Sequence, residues 1–171
     1  MSSSSSAADR AMTAREGRDK QRYAASGARL VAGVVALTPD KSHVLVVSST
    51  QRQDKFVLPK GGYETDEPTP QDAAIREAWE EAGVVGKITE SLGVIDDLRP
   101  PKLFANPAKP ATHPRAEYHF FEMQVEDELD VWPESNKRIR KWISYKEAVG
   151  GLINRPELLE ALKRSSIDRS L

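Results

Sequence analysis

The chain has 171 residues, of which 25 are basic and 26 acidic, for a net charge of −1; 39% are hydrophobic and 30% charged. This length suits one domain with a real core. The chain has no cysteine, which excludes a disulfide framework and thiol catalysis and fits a reducing compartment, here the cytoplasm and nucleus. No apolar run approaches the roughly 20 residues that span a bilayer.

Residues 1–26 open with Met-Ser-Ser-Ser-Ser-Ser and hold almost no large apolar side chains. They read as a disordered tail ahead of a domain over 27–171, dispensable at least through Lys20. Arg10, Arg15, Arg18 and Arg22 suggest a mitochondrial transit segment, but Asp9, Glu16 and Asp19 break its acid-free composition. Arg29–Leu37 is an apolar, β-branched run and reads as a strand. The turn Pro39-Asp40-Lys41-Ser42 joins it to a second strand over His43–Ser48, giving a hairpin. Lys55–Leu58 is a short strand that feeds the loop Pro59-Lys60-Gly61-Gly62.

A helix follows with clear ends. Thr69 is a good N-cap, Pro70 fits the first helical position, Asp72 completes a capping-box-like pattern, and Gly83 fits just past the end. Ile75, Ala78, Trp79 and Ala82 form one face. Glu77, Glu80 and Glu81, at i, i+3 and i+4, form another. Carboxylates that close repel one another unless something positive sits among them, and clustered carboxylate oxygens suit a hard dication such as Mg²⁺. An acidic helix face is more often a solvated face. Here it comes with a paired-glycine loop that lets backbone approach a ligand closely, and with a fourth carboxylate, Glu67, ahead of the helix.

Val84–Ile95 reads as extended, and residues 99–115, with five of the eleven prolines, as a long loop. Arg115–Val125 and Lys141–Ser144 read as strands. Ser144-Tyr145-Lys146-Glu147 is a second capping box that starts a short helix, and Pro156–Lys163 is the last helix. The pattern is an α/β chain whose mixed sheet has helices on both sides. Two basic stretches carry no acid: Arg99–Ala116, with Arg99, Lys102, Lys109 and Arg115, and Ser135–Trp142, with Lys137, Arg138, Arg140 and Lys141. Metal-loaded carboxylates flanked by such stretches suit a highly anionic substrate. His43, His113 and His119 lack metal-ligand spacing and read as structural.

The series Gly61, Glu67, Arg76-Glu77-Ala78, Glu80-Glu81, Gly83-Val84 resembles the Nudix box of the Nudix hydrolases. Eight residues separate Glu67 from Arg76, one more than in the family pattern, and the extra residue falls beside Pro68 and Pro70. Residues 27–162 also resemble the fungal diadenosine and diphosphoinositol polyphosphate phosphohydrolases. The matching segments include Phe56-Val57-Leu58-Pro59-Lys60-Gly61-Gly62, Arg99-Pro100-Pro101-Lys102, Glu117-Tyr118-His119-Phe120 and Arg155-Pro156-Glu157-Leu158.

The resemblance implies a Nudix-type α/β/α sandwich and metal-dependent hydrolysis of phosphoanhydrides in diphosphoinositol and diadenosine polyphosphates, extending to inorganic polyphosphate. It implies Mg²⁺, or Mn²⁺ or another divalent metal, held by Glu77 and Glu81 with Glu80 and a backbone carbonyl of Lys60 or Gly61. It makes Glu80 the general base and Arg76 the residue that orients the glutamates. It carries over Arg22, Arg29, Ser48, Ser49, Thr50, Lys60, Arg99, Lys102, Arg115, Arg138 and Arg155 as polyphosphate contacts. The protein is expected to act as a monomer on a small molecule, without nucleic acid or membrane. Two other readings stand beside this one. A Nudix enzyme for ADP-ribose, a nucleoside diphosphate sugar or an RNA cap would want aromatics to stack a base, and only 6% of residues are aromatic. A non-catalytic polyanion-binding module would have no need of mutually repelling glutamates.

Overall fold

A computed structural model describes residues 10–97 and 116–171. Along the chain they form β1 (Arg29–Leu37), β2 (Val44–Ser48), β3 (Phe56–Val57), β4 (Lys60–Gly62), α1 (Pro70–Ala82), β5 (Val84–Asp96), β6 (Ala116–Glu128), β7 (Arg140–Ile143), α2 (Tyr145–Gly151) and α3 (Pro156–Arg164). Among the described residues the strands make one mixed sheet of seven, in the order β3-β2-β1-β6-β5, with β4 added to β1 and β7 to β2. The α/β architecture expected from the sequence is the one observed.

β1 is the centre of the sheet. Its β-branched run is buried on both faces from Val31 to Leu37, so it needs cover above and below. It pairs in parallel with β6 along its whole length, Arg29 opposite Ala116 and Leu37 opposite Gln124. Its other edge is shared. Leu37 opposite Val44 starts the antiparallel hairpin to β2, while Val31–Gly33 pair with β4. The sequence reads Lys60–Gly62 as loop; they form a short strand, because the free edge at the start of β1 satisfies their backbone groups. That pairing fixes the glycine loop against the sheet, and α1 packs across the same place.

α1 has the ends its sequence specifies. Thr69 accepts from the Asp72 amide, Pro70 occupies the first turn, and Gly83 takes the left-handed conformation at φ 65°. The carbonyls at its C-terminus, which a helix leaves orphaned, find donors in the chain before β7 and at its first residue: Trp132 Nε1 to Glu81 O at 2.9 Å, Glu134 N to Glu80 O at 3.1 Å and Arg140 to Ala82 O at 2.8 Å. α2 carries the capping box read at Ser144 and Glu147.

The structure differs from the expectation of a disordered tail over residues 10–26. Gln21 is buried, and its amide donates to the carbonyls of Arg22, Leu30 and Tyr63. Gln21 bridges to Glu64 and Tyr23 to Arg29. Further upstream, Trp79 Nε1 donates to Ala11 O at 2.8 Å and Arg15 N to Glu80 Oε1 at 2.7 Å. Composition misleads here because polar hydrogen bonding, rather than apolar burial, holds this strap to α1 and the glycine loop. Removing residues 2–20 is therefore expected to lower stability by about 1–2 kcal/mol for the lost part-buried hydrogen bonds to Glu80 and Trp79, measured by urea unfolding. An unchanged midpoint would restore the dispensable tail.

Candidate active site

Arg76 is the hub of the site. Its guanidinium makes a two-pronged pair with Glu67, both bonds 2.9 Å, and reaches Glu77 at 2.9 Å, Glu80 at 3.0 Å and the Gly62 carbonyl at 2.8 Å. Glu64 stands 3.6 Å away. Burial alone would lower the arginine's pKa; the hydrogen bond to Glu67 and the charges of Glu77, Glu67 and Glu80 outweigh it and raise it. The longer spacing between Glu67 and Arg76 is absorbed ahead of α1, and Glu67 still closes on the guanidinium.

The three helix glutamates divide into a pair and a single residue. Glu77 and Glu81, one turn apart, face β4. Glu77 lies so close to Gly61 that a Cβ there would stand 2.1 Å from its carboxylate oxygen, so any side chain at this position would push the Glu77 carboxylate aside. Glu81 accepts from the Lys60 amide at 3.2 Å and pairs with Arg138 at 3.3 Å. Burial raises Glu77 well above the usual carboxylate range, and the charge of Glu81 raises it further. Burial pushes Glu81 up to about 7, against the pull of Arg138 and Lys60. Burial also raises Glu80, which instead turns to the strap: its Oε1 accepts from Arg15 N at 2.7 Å.

Two carboxylates, Glu81 buried and Glu77 partly so, that repel one another against a glycine backbone form a hard oxygen donor set that fits a divalent cation. Among the described residues no three acidic or histidine side chains already converge as a finished cluster, so backbone oxygen at the glycine loop and solvent would have to complete the coordination. Carboxyls raised in the folded state add stability below their unfolded pKa, and that stability is lost as pH rises through the folded pKa. In chelator the melting temperature is therefore expected to fall between pH 5 and pH 7.5, a window above the depressed carboxyls Asp40, Asp66 and Asp168. Added Mg²⁺ should restore more stability at pH 7.5 than at pH 5. A flat profile that Glu81→Gln leaves unchanged would contradict the placement.

The expected substrate contacts separate into braces and open cations. Arg22 donates to the carbonyls of Glu64, Thr65 and Glu67 and stacks on Tyr63, 4.6 Å from the ring centre. Arg138 is committed to Glu81, Glu134 and Ser48 O. Ser48 is fully buried, and its hydroxyl accepts from Ile139 N. In the structure these three brace the site from within the protein. Lys60 is flanked by Glu81, Arg138 and Arg155, and burial lowers its pKa. Arg155 pairs with Glu157 and Tyr118. Together with Ser49, it borders a cavity of about 650 Å³ that Arg52, Lys55 and Lys141 also line. Thr50 is exposed beside it. Arg29 sits at a second, smaller cavity next to Glu77 and Gly62. Arg99, Lys102 and Arg115 lie outside the described residues. Sequence reasoning misses Arg15, Glu64 and Glu134, which complete the ion-pair network. Arg15 pairs with Asp66 at 2.8 Å, and its charge alternation with Glu16 and Asp19 reads as a solvated coil.

A glycine loop locked to a sheet edge, and beside it a helix whose glutamates are organised by one arginine, make an oxygen-donor site that fits a divalent cation. Residues 27–167 match the NUDIX domain, and the chain belongs to that family: it is a Nudix hydrolase and needs a divalent cation. Among its relatives are Nudix hydrolase 21, chloroplastic, from Arabidopsis thaliana, 37% identical over 81% of this chain and 67% of that one, and Nudix hydrolase 13, mitochondrial, from the same plant, 38% identical over 81% and 73%. Human diphosphoinositol polyphosphate phosphohydrolase 3-alpha is 33% identical over 72% of this chain and 70% of its own. A NUDIX hydrolase from Nitrosomonas europaea shares the fold at a TM-score of 0.63 and 17% identity, covering 80% of this chain and 87% of that one.

Proposed function

We propose that this enzyme hydrolyses phosphoanhydride bonds in diphosphoinositol polyphosphates and diadenosine polyphosphates, with Mg²⁺ or Mn²⁺ as its metal. What supports this reading is the set of cations at two cavities: Arg29 beside Glu77 at one, and Arg52, Lys55, Lys141 and Arg155, with Asp54 and Glu147 among them, at the other. A substrate with many phosphates needs many cations, whereas ADP-ribose, with only two phosphates, would rest more on a stacking platform for its base. The human relative's name supports the same substrate class.

In this reading Glu77 and Glu81 hold the cation against the glycine loop. When bound, the cation neutralises charge on phosphate oxygens and acidifies a water. Glu80, which faces away from Gly61, is the general base. Arg76 fixes one of its oxygens at 3.0 Å, and the other oxygen already accepts an N–H at 2.7 Å, within the range at which it would accept a water proton. Arg76 keeps the three carboxylates apart yet adjacent. Arg138 holds Glu81. The protein works as a monomer in the cytoplasm and nucleus.

The test is side-by-side turnover of a diphosphoinositol polyphosphate, diadenosine polyphosphate, inorganic polyphosphate and ADP-ribose, with Mg²⁺ and Mn²⁺. The inositol and dinucleoside compounds should give the highest kcat/KM. A clear preference for ADP-ribose would hand the function to the nucleotide-type reading.

A further inference from the structure

Glu80 is 4% exposed, and one of the groups set against it comes from outside the NUDIX match, which begins at residue 27. Its Oε1 accepts from the Arg15 amide at 2.7 Å, a main-chain donor on the strap. Arg76 reaches its other oxygen at 3.0 Å. The carboxylate is held from two sides, by a guanidinium of its own helix and by an N–H from a distant segment. Short bonds to a charged acceptor are the strong ones, and donors on both oxygens restrict the broad last torsion of a glutamate.

The strap is pinned on both sides of that amide. Upstream, Trp79 Nε1 donates to Ala11 O at 2.8 Å. At Arg15 itself the guanidinium makes a two-pronged pair with Asp66, at 2.8 and 2.9 Å. Downstream, Thr65 N donates to Lys20 O at 2.7 Å, and the buried Gln21 amide donates to three carbonyls. These anchors place one N–H at a fixed point beside Glu80. The strap does not seal the carboxylate off. A cavity of about 300 Å³ lies between strap residues from Arg10 to Arg15 and Arg76, Trp79 and Glu80 of α1. A water takes up only ~30 Å³, so water has room beside Glu80 while the amide holds it.

We propose that the Arg15 main-chain N–H is a positioning group for Glu80, and that the strap thereby completes the active site from outside the NUDIX match. The proposal rests on the reading of Glu80 as general base. A base gives its full benefit only when its lone pair points at the proton it takes, and a misplacement of about 1 Å can cost ~10²-fold. Arg76 alone does not set that aim, because Glu67, Glu77 and the Gly62 carbonyl also fix its position. The amide supplies the second point that defines the carboxylate plane. It acts through Glu80, so its effect falls on kcat and leaves KM nearly unchanged.

The experiment uses the full chain with Mg²⁺ and whichever of the four substrates named above has the highest kcat/KM. Arg15→Pro deletes the N–H and should lower kcat by about tenfold, while KM moves by less than about twofold. Arg15→Ala keeps the N–H and loses only the side-chain pairs, so it should lose clearly less. In the Glu80→Gln background Arg15→Pro should cost nothing further, because both changes act through one carboxylate. Hydrogen exchange at the Arg15 amide needs no turnover and decides even where Arg15→Pro does not fold. It should be slow in wild type and about tenfold or more faster in Glu80→Ala, the scale of one hydrogen bond to a charged group. Asp66→Ala, at the surface, cuts the strap's side-chain anchor and should speed the same exchange. If Arg15→Pro matches Arg15→Ala in kcat, or if exchange at Arg15 ignores Glu80, the amide positions nothing and the proposal is wrong. A rise in kcat for Arg15→Pro would make the strap a block and overturn it equally. Loss of turnover in Glu80→Gln without loss in Arg15→Pro overturns the positioning role alone, whereas wild-type turnover in Glu80→Gln removes the base reading and the proposal with it.

Discussion

Arg76→Ala is expected to be the most destabilising single change in the site, by about 3–5 kcal/mol, the range for leaving buried charges without their partner. Removing the guanidinium strands Glu67, Glu77 and Glu80 in a protein interior, with Glu64 close by. Part of the cost will be relieved by protonation of those carboxyls, so the loss should be larger at pH 8 than at pH 5.5. Urea unfolding at both pH values checks this. Arg76→Lys should recover stability only in part, because an ammonium cannot make the two-pronged bond to Glu67 and reach Glu77, Glu80 and Gly62 O together. A variant as stable as wild type at pH 8 would mean that the glutamates are solvated and that Arg76 organises nothing.

Substitution of the helix glutamates should have the largest effect on turnover. Glu77→Gln, Glu80→Gln and Glu81→Gln are each expected to lower kcat by about 10²-fold or more, the scale for losing a metal ligand or a general base. The variants should separate in how they respond to metal. Glu77→Gln and Glu81→Gln remove one of two repelling buried charges, so they should melt higher than wild type in chelator and gain little from Mg²⁺. Glu80→Gln should keep the stabilisation by Mg²⁺ and lose only turnover. The pair of measurements is the melting temperature against Mg²⁺ concentration and the single-turnover rate. If Glu80→Gln retained wild-type turnover, it would be an orienting carboxylate and the base would lie within the Glu77–Glu81 pair. If Glu81→Gln kept both the metal response and the rate, the donor set proposed for the cation would be wrong.

The elements that local chemistry specifies were legible in the sequence. α1 could be read from Thr69, Pro70 and Gly83, the α2 capping box from Ser144 and Glu147, and β1 from its β-branched run, because caps, proline geometry and side-chain period act within a few residues. The Nudix box was legible for the same reason: most of its residues lie on one helix and one adjoining loop. β4 was not, since Lys60–Gly62 have no strand propensity and pair only because β1 has a free edge. The order of the strap was also hidden, because its partners, Tyr63, Trp79 and Glu80, are more than 40 residues away.

The functions of the arginines divide along the same line. The sequence by itself determined that three glutamates share a helix, that a glycine loop precedes it, and that cations flank both, because spacing on a regular helix and composition are local properties. Only the tertiary structure decided which cations are spent. Arg22 and Arg138 are tied to carbonyls and carboxylates from distant segments, and Arg29 lines a cavity beside Glu77. It also turned Glu80 away from Glu77 and Glu81, through a hydrogen bond to a strap that composition reads as a tail. A charge's partner is set by distance through space, and the chain brings those partners together only when the sheet closes around β1.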